Sequence, residues 1–205
     1  MVDTLYTVIG DLVGSRQVPD RAAVQRALQD ALDGVNRSVP VLQVFEPTVG
    51  DEYQGACATL HDAVLAALLA RLALLPLVDA RSGIGHGSVT VHDADHTPLL
   101  QDGPGWWAAR EAVTTLDARR DSSRTWFVGP EQGGVNAFLL CRDQIVERLN
   151  DRGLRILRLA LLGHPQKEIA EREGIWPSAV SQQFTRNIAT LVESMTLFTP
   201  TGGPS

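Results

Sequence analysis

Two aspartates, each directly after a glycine, are the side chains here best suited to chemistry: Asp11 in Gly10-Asp11-Leu12-Val13-Gly14-Ser15-Arg16, and Asp51 in Val49-Gly50-Asp51-Glu52-Tyr53-Gln54-Gly55. Two carboxylates that meet, with a main-chain carbonyl beside them and glycines leaving room, suit an octahedral hard cation such as Mg²⁺. Such a cation would in turn hold a triphosphate. The amides of Val13, Gly14 and Ser15 would lie next to it as a cradle for phosphate oxygens. One Gly-Asp pair is an ordinary turn. Two of them, each in a long glycine-marked segment, point to metal or phosphate binding. No Ser-His-Asp or Cys-His arrangement is visible, and no residue is assigned as catalytic.

Two further segments carry candidate ligand contacts: Arg81-Ser82-Gly83-Ile84-Gly85-His86-Gly87, and residues 102–111, which hold Trp106, Trp107 and Arg110. Arg16 and Arg81 read as phosphate contacts or surface ion pairs. Arg110 reads as a phosphate contact or as a partner of Glu111 or Asp102. An indole offers a flat face for a nucleobase; Trp106 is kept as that candidate, while Trp107 is assigned to the core or an interface. Glu52 reads as a solvated hairpin residue and His86 as a strand-end histidine. His92, Asp93, Asp95 and His96 imitate a metal cluster but read as a solvated loop. Cys57 and Cys141 read as small buried hydrophobes.

The elements that must position these residues follow from apolar spacing. Residues 5–11 form a short apolar run ending at Asp11. Asp20 is placed to cap a helix over 22–35, with its stripe at Val24, Leu28, Ala31, Leu32 and Val35. Residues 41–45 and 53–58 read as the arms of a hairpin tipped by 49–53, and residues 60–75 as a long helix stopped by Pro76. Strands follow at 77–84 and 88–91, then a polar loop over 92–104, a helix at 105–116, a strand at 124–128 and a helix at 135–150. The order is β-α-β-β-α-β: an α+β, ferredoxin-like antiparallel sheet with helices on one face. In such a sheet the strand ending at Asp11 neighbours the hairpin bearing Asp51.

Residues 153–190 have a different pattern. Leu154, Leu157 and Leu161 form one stripe, Gly163 stops that helix, and 166–172 forms a second short helix with Ile169 and Ala170 inward. Gly174-Ile175-Trp176 is a tight turn, and Pro177 opens a third helix over 178–190 that buries Val180, Phe184 and Ile188. This is a helix-turn-helix pattern. The exposed Ser178, Ala179, Ser181, Gln182, Gln183, Arg186 and Asn187 would meet DNA bases and phosphates, with Lys167 and Arg172 reaching the backbone. The alternative for these residues is a three-helix packing or dimerisation module.

The segment 5–130 resembles the SatD family of bacterial proteins, through "GD-hydrophobic-V-x-S-R", "T-x-GDE-aromatic-Q-G", "R-x-G-I-G-x-G" and "DGP-x-x-x-x-A-R-x-A". The same four segments, in the same order, resemble the catalytic core of class III nucleotidyl cyclases. That resemblance implies metal ligands at Asp11 and Asp51, with the Leu12 carbonyl as a third, and matches Arg110 to a transition-state arginine. It also implies a homodimer with ligands at the interface. Two positions depart from the cyclase pattern: Trp106 stands where the cyclases carry an asparagine, and Pro47 where they carry a purine-reading lysine. The C-terminal pattern is similar to sigma-factor region 4 and the helix-turn-helix of bacterial regulators.

Composition sets the bounds. The 205 residues carry a formal net charge of −6, with 44% hydrophobic and 20% charged residues, which is globular. Of the 18 basic residues only Lys167 is a lysine. Residues 1–148 hold 12 basic and 19 acidic side chains, and 149–205 hold 6 and 5. The larger part is therefore a poor electrostatic partner for nucleic acid. No apolar run is long enough for a membrane span, no signal peptide is evident, and the cytoplasm is expected. The expected division is a cyclase-like domain over 1–148, a DNA-binding module over 149–198 and a disordered tail over 199–205. The expected function is a homodimeric DNA-binding regulator whose first domain binds a metal–nucleotide or another phosphorylated ligand. The alternatives are a metal-dependent nucleotidyl cyclase or phosphoryl-transfer enzyme, and a non-catalytic dimerisation scaffold.

Overall fold

The computed structural model describes residues 3–93 and 99–198. Asp95 and His96 of the metal-like cluster, and the expected tail over 199–205, lie outside the described residues. The chain opens with strand β1 (Asp3–Val13), a 3-10 turn (Ser15–Gln17), helix α1 (Arg21–Ser38), strands β2 (Val41–Pro47) and β3 (Glu52–Cys57), helix α2 (Leu60–Leu74) and strand β4 (Asp79–Asp93). It continues with β5 (Leu100–Asp102), α3 (Pro104–Ala118), β6 (Thr125–Val128) and α4 (Gln132–Glu147). The remaining helices are α5 (Asp151–Leu161), α6 (Gln166–Glu173), α7 (Pro177–Gln183) and α8 (Ala189–Leu197), the last two joined by a π-helical turn (Phe184–Ile188).

Local chemistry accounts for the helix starts. The Ala23 amide donates to Asp20 Oδ1 at 2.8 Å, capping α1, and the Asp62 amide donates to Thr59 Oγ1 at 3.1 Å, capping α2. The α1 stripe is buried at the five positions its spacing indicates. Helix α2 is buried nearly all round, because the sheet covers one side and α5 the other.

The sheet runs β2-β3-β1-β4-β5, with β6 added to β4. All pairs are antiparallel except β4 with β6, which run parallel over Ser82–Gly85, so the sheet is mixed rather than wholly antiparallel. The two expected strands at 77–84 and 88–91 are one strand of 15 residues. Its glycines are not breaks. They form a bare track on which α3 lies: a Cβ on Gly83 would stand 2.3 Å from the Ala109 carbonyl oxygen, and one on Gly87 2.6 Å from the Gly105 nitrogen. Helices consequently cover both faces. Val8, Leu12, Tyr53 and Ile84 point to α1 and α2, whereas Leu5, Ile9, Ala56 and Val89 meet Trp106, Ala109 and Val113 of α3. The single-faced packing expected from the sequence is corrected by that second layer.

Two edge strands of the sheet, β2 and β6, are each covered at one residue by an asparagine. Asn36 donates to the Phe45 carbonyl at 2.9 Å and accepts from its amide at 2.8 Å; Asn136 does the same for Phe127, both at 2.8 Å. Each carboxamide imitates the next strand at that point.

The hydrophobic core is continuous from the sheet through α2 into α5–α8, taking in Leu157, Ile169, Val180, Ile188 and Met195. Two ionic clusters, one buried and one part-buried, tie α4 to the sheet. In one, Arg142 and Asp143 are 2% and 0% exposed, and Asp143 Oδ2 accepts the amides of Arg124 (2.7 Å) and Thr125 (2.9 Å). In the other, Asp79 accepts from Arg71 Nε at 2.7 Å and Arg124 Nε at 2.6 Å, while Arg71 also reaches Glu147 at 3.3 Å. Burial pushes the Asp79 carboxyl up, but the hydrogen bonds and charges of Arg71 and Arg124 together outweigh it and hold the carboxyl below its usual value. A depressed folded-state pKa contributes stability that is present above the unfolded value and lost as pH falls through the folded one. Asp79→Asn is therefore expected to lower stability at pH 7 and to flatten its decline below about pH 4, read from urea midpoints across that range.

Candidate functional site

The site is built at the end of β1. Gly10 must be glycine here: the Tyr53 ring lies across it, and a Cβ would stand 1.9 Å from Tyr53 Cζ. Tyr53 is fully buried, shares a hydrogen bond of 2.9 Å with Ser82, and burial pushes its phenol up to about 12. It is a neutral wedge that fixes the strand end, and the next residue, Asp11, projects from the opposite face, toward α3. In the register Asp11 lies between Glu52 on β3 and Arg81 on β4.

Arg81 donates to Asp11 Oδ2 from Nη2 at 2.5 Å and from Nε at 3.0 Å, and pairs with Asp117 of α3 through Nη1. Asp51 sits in the turn between β2 and β3, where Gly50 supplies a left-handed φ of 73°. The Leu12 amide donates to the Asp51 carbonyl at 3.2 Å, and the buried Ser15 hydroxyl donates to Asp51 Oδ2. The two Gly-Asp segments are thus stitched together by main chain and side chain. Partial burial, joined by the charges of Asp51 and Glu52, outweighs the pull of Arg81 and raises the Asp11 carboxyl above its usual value. Arg110 forms a bidentate pair with Glu52, at 2.8 and 2.9 Å. That partner is neither of the two expected, Glu111 and Asp102, and it lies 58 residues away with no sequence signal. Glu52 is correspondingly an ion-pair partner rather than a solvated residue.

Among the candidates, Asp11, Leu12, Asp51, Ser15, Arg81 and Arg110 come together. Val13 ends β1 and Gly14 follows it at φ 70°, and Arg16 beyond them is exposed with no ion-pair partner among the described residues. Trp106 does not join them: it is 7% exposed and packs in the α3-side core, while Trp107 is 61% exposed. Of the two tryptophans it is therefore Trp106 that lies in the core and Trp107 that is exposed. The stripe Trp106, Ala109, Val113 and Leu116 was the signal that could have shown it. Cys57 is buried, its thiol pushed up to about 12 by that burial, but Cys141 is exposed, against expectation.

Four acids (Asp11, Asp51, Glu52 and Asp117) face two arginines (Arg81 and Arg110) at this strand end, leaving an excess of negative charge. No cluster of three or more His, Cys, Asp or Glu side chains able to hold a metal occurs among the described residues. The site instead offers two carboxylates, each with its Oδ1 left without a hydrogen bond by Arg81 and Ser15 among the described residues. That donor set fits Mg²⁺, which takes one or two carboxylates and completes its shell with water and phosphate.

The C-terminal candidates lie elsewhere. Lys167, Ser178, Ser181, Gln182, Arg186 and Asn187 are exposed, and Ala179 and Gln183 half-buried. Arg172 is tied to Glu168 at 2.7 Å. Arg186 and Asn187 fall in the π-helical turn after α7, where their spacing from Ser178 departs from a regular helix. Trp176, 79% exposed at the start of α7, is an addition to that surface.

Fold and site define a mixed α+β protein with an acid–arginine cluster at the end of its central strand. The chain belongs to the SatD family, which matches residues 5–129. No curated protein matches it. Two solved structures of a bacterial light-regulated adenylyl cyclase are similar, one at 11% identity and TM-score 0.44 over 63% of this chain, the other at 12% and 0.45 over 67%. The matched regions are 44% and 45% of those chains, so this chain spans less than half their length. No helix among the described residues is long and apolar enough to cross a membrane.

Proposed function

We propose that the chain is a DNA-binding regulator whose N-terminal part binds a Mg²⁺-bound phosphorylated ligand, a nucleotide being the leading class. The observation that carries the reading is the joining of the two Gly-Asp segments, Ser15 and the Leu12 amide both bonding to Asp51 while the charge of Asp51 acts on Asp11, in a cluster with surplus negative charge. Asp11 and Asp51 would hold the ion, with the Leu12 carbonyl beside them. The bound ion would neutralise phosphate charge. Arg81, Arg16 and Arg110 supply positive charge around it, and the Gly14–Ser15 turn presents main-chain amides. The β1-α1-β2-β3-α2-β4 order, with strands placed β2-β3-β1-β4, supports a ferredoxin-like, cyclase-like description of this part. Helices α5, α6 and α7 are read as the helix-turn-helix module, with α7 as the reading helix and two copies presented by a homodimer. The shared core through α2 and α5 gives a physical route between the two parts.

Melting temperature should rise with Mg²⁺ and a nucleoside triphosphate, without turnover. At a ligand concentration 100 times Kd the gain is about 2.7 kcal/mol. Asp51→Ala and Asp11→Asn should abolish the rise. Asp11→Asn keeps the size of the side chain and an acceptor for Arg81, and its urea midpoint beside the native chain's separates lost binding from lost folding. Turnover would favour the phosphoryl-transfer enzyme, and no shift at all the scaffold. Arg186→Ala should weaken DNA binding and reduce its salt slope by about one.

A further inference from the structure

We propose that Trp107 and Gln54 form the base subsite of the same ligand site, and that the ligand is a purine nucleotide; this rests on the reading of the β1 end as a phosphate site. Helix α3 covers only part of its face of the sheet, lying over β4, β1 and β6. Beside it, β3 presents Glu52 and Gln54 on that same face, in register with Asp11 and Ile9, before Ala56 passes under α3. At the far side of this strip Gln101 of β5 exchanges two hydrogen bonds with Gln43 of β2, at 2.9 and 3.0 Å. The strip is therefore bounded by α3, by the Gln43–Gln101 bridge and by the acid–arginine cluster.

Trp107 stands on the α3 wall of this strip, one turn from Arg110 and on the same side of the helix. Its Nε1 donates to Asp102 Oδ1 at 2.6 Å, and that oxygen also accepts the Gly103 amide at 2.7 Å. The indole is held at its N–H while 61% of the residue stays exposed. A ring fixed at its edge and bare on its surface is suited to stacking on a planar heterocycle, a sequence-tolerant attraction. The Gln54 carboxamide has no hydrogen-bond partner among the described residues. It carries a donor and an acceptor side by side, the complement of the neighbouring donor and acceptor on a purine edge. Phosphates at Asp11, Asp51 and Ser15 and a base at Trp107 would place the ligand along the strip, past Arg110.

Calorimetric titration of the full chain with Mg²⁺ plus ATP, GTP, CTP or inorganic triphosphate tests this. Purine nucleotides should bind at least about tenfold tighter than inorganic triphosphate. Trp107→Ala should remove about ten- to a hundredfold of purine affinity, Trp107→Phe should keep most of it, and both should leave triphosphate affinity unchanged. Gln54→Leu should compress the preference for purine over CTP. Equal affinity for ATP and triphosphate in the native chain, or purine affinity undiminished in Trp107→Ala, overturns the subsite, and equal affinity for ATP, GTP and CTP overturns the purine assignment. Trp107-dependent purine binding without any triphosphate binding would uphold the subsite and overturn the phosphate reading alone; no binding of any probe overturns both. If Trp107→Ala instead converts a dimer to a monomer in sedimentation while nucleotide affinity stands, the indole serves a second copy and the subsite fails.

Discussion

Alanine at position 85 is expected to prevent α3 from docking on the sheet. The added Cβ would lie 2.2 Å from the Gly105 carbonyl oxygen and 2.3 Å from the Ala109 nitrogen. Both are backbone atoms of the same helix, so no rotamer change relieves the contact. Flanking glycines hold the helix equally close, and the buried Thr7 hydroxyl donates to the Gly105 carbonyl at 2.8 Å. The helix cannot lift at one point without losing that bond and uncovering Leu5, Ile9 and Val113. Ordinary overpacking costs up to about 3 kcal/mol, and this substitution should reach or exceed it. Urea unfolding and the near-ultraviolet signal of Trp106 measure the effect. Gly133→Ala is the control: nothing lies within 4 Å of its Cβ position, and α4 should tolerate it.

Asp143→Ala should be similarly severe for an electrostatic reason. The carboxylate is fully buried, takes Arg142 Nη2 at 2.8 Å on one oxygen and two amides on the other. Its loss strands a guanidinium that is 2% exposed and frees the amides that begin β6. Breaking a buried pair in this way costs about 3–5 kcal/mol. Arg142→Met combined with Asp143→Asn should recover part of that, since the charge goes and an acceptor for the amides remains. A double-mutant cycle from denaturant midpoints gives the coupling.

Helix α1 was legible because its stripe and its aspartate cap are local. The adjacency of the two Gly-Asp segments was legible because the strand order and the glycine-marked hairpin put neighbouring strands in reach. The second helical layer was not, because Gly83, Gly85 and Gly87 look like punctuation in a linear text and become a docking track only once a helix lies over them. The Glu52–Arg110 pair joins a hairpin to a helix that come together only through the sheet. The fate of the adjacent tryptophans turned on one helical step of 100°. The core of the C-terminal helices followed their spacing, whereas the π turn that shifts Arg186 and Asn187 left no mark in composition.

The asparagines on Phe45 and Phe127 have a bearing on behaviour at high concentration. A foreign strand arriving at either margin would find its natural bonding positions taken by a carboxamide anchored on a folded helix. Fibre growth by lateral recruitment is thereby discouraged at two points without any charged residue being spent on the task, leaving the molecule's acids and arginines free to gather elsewhere.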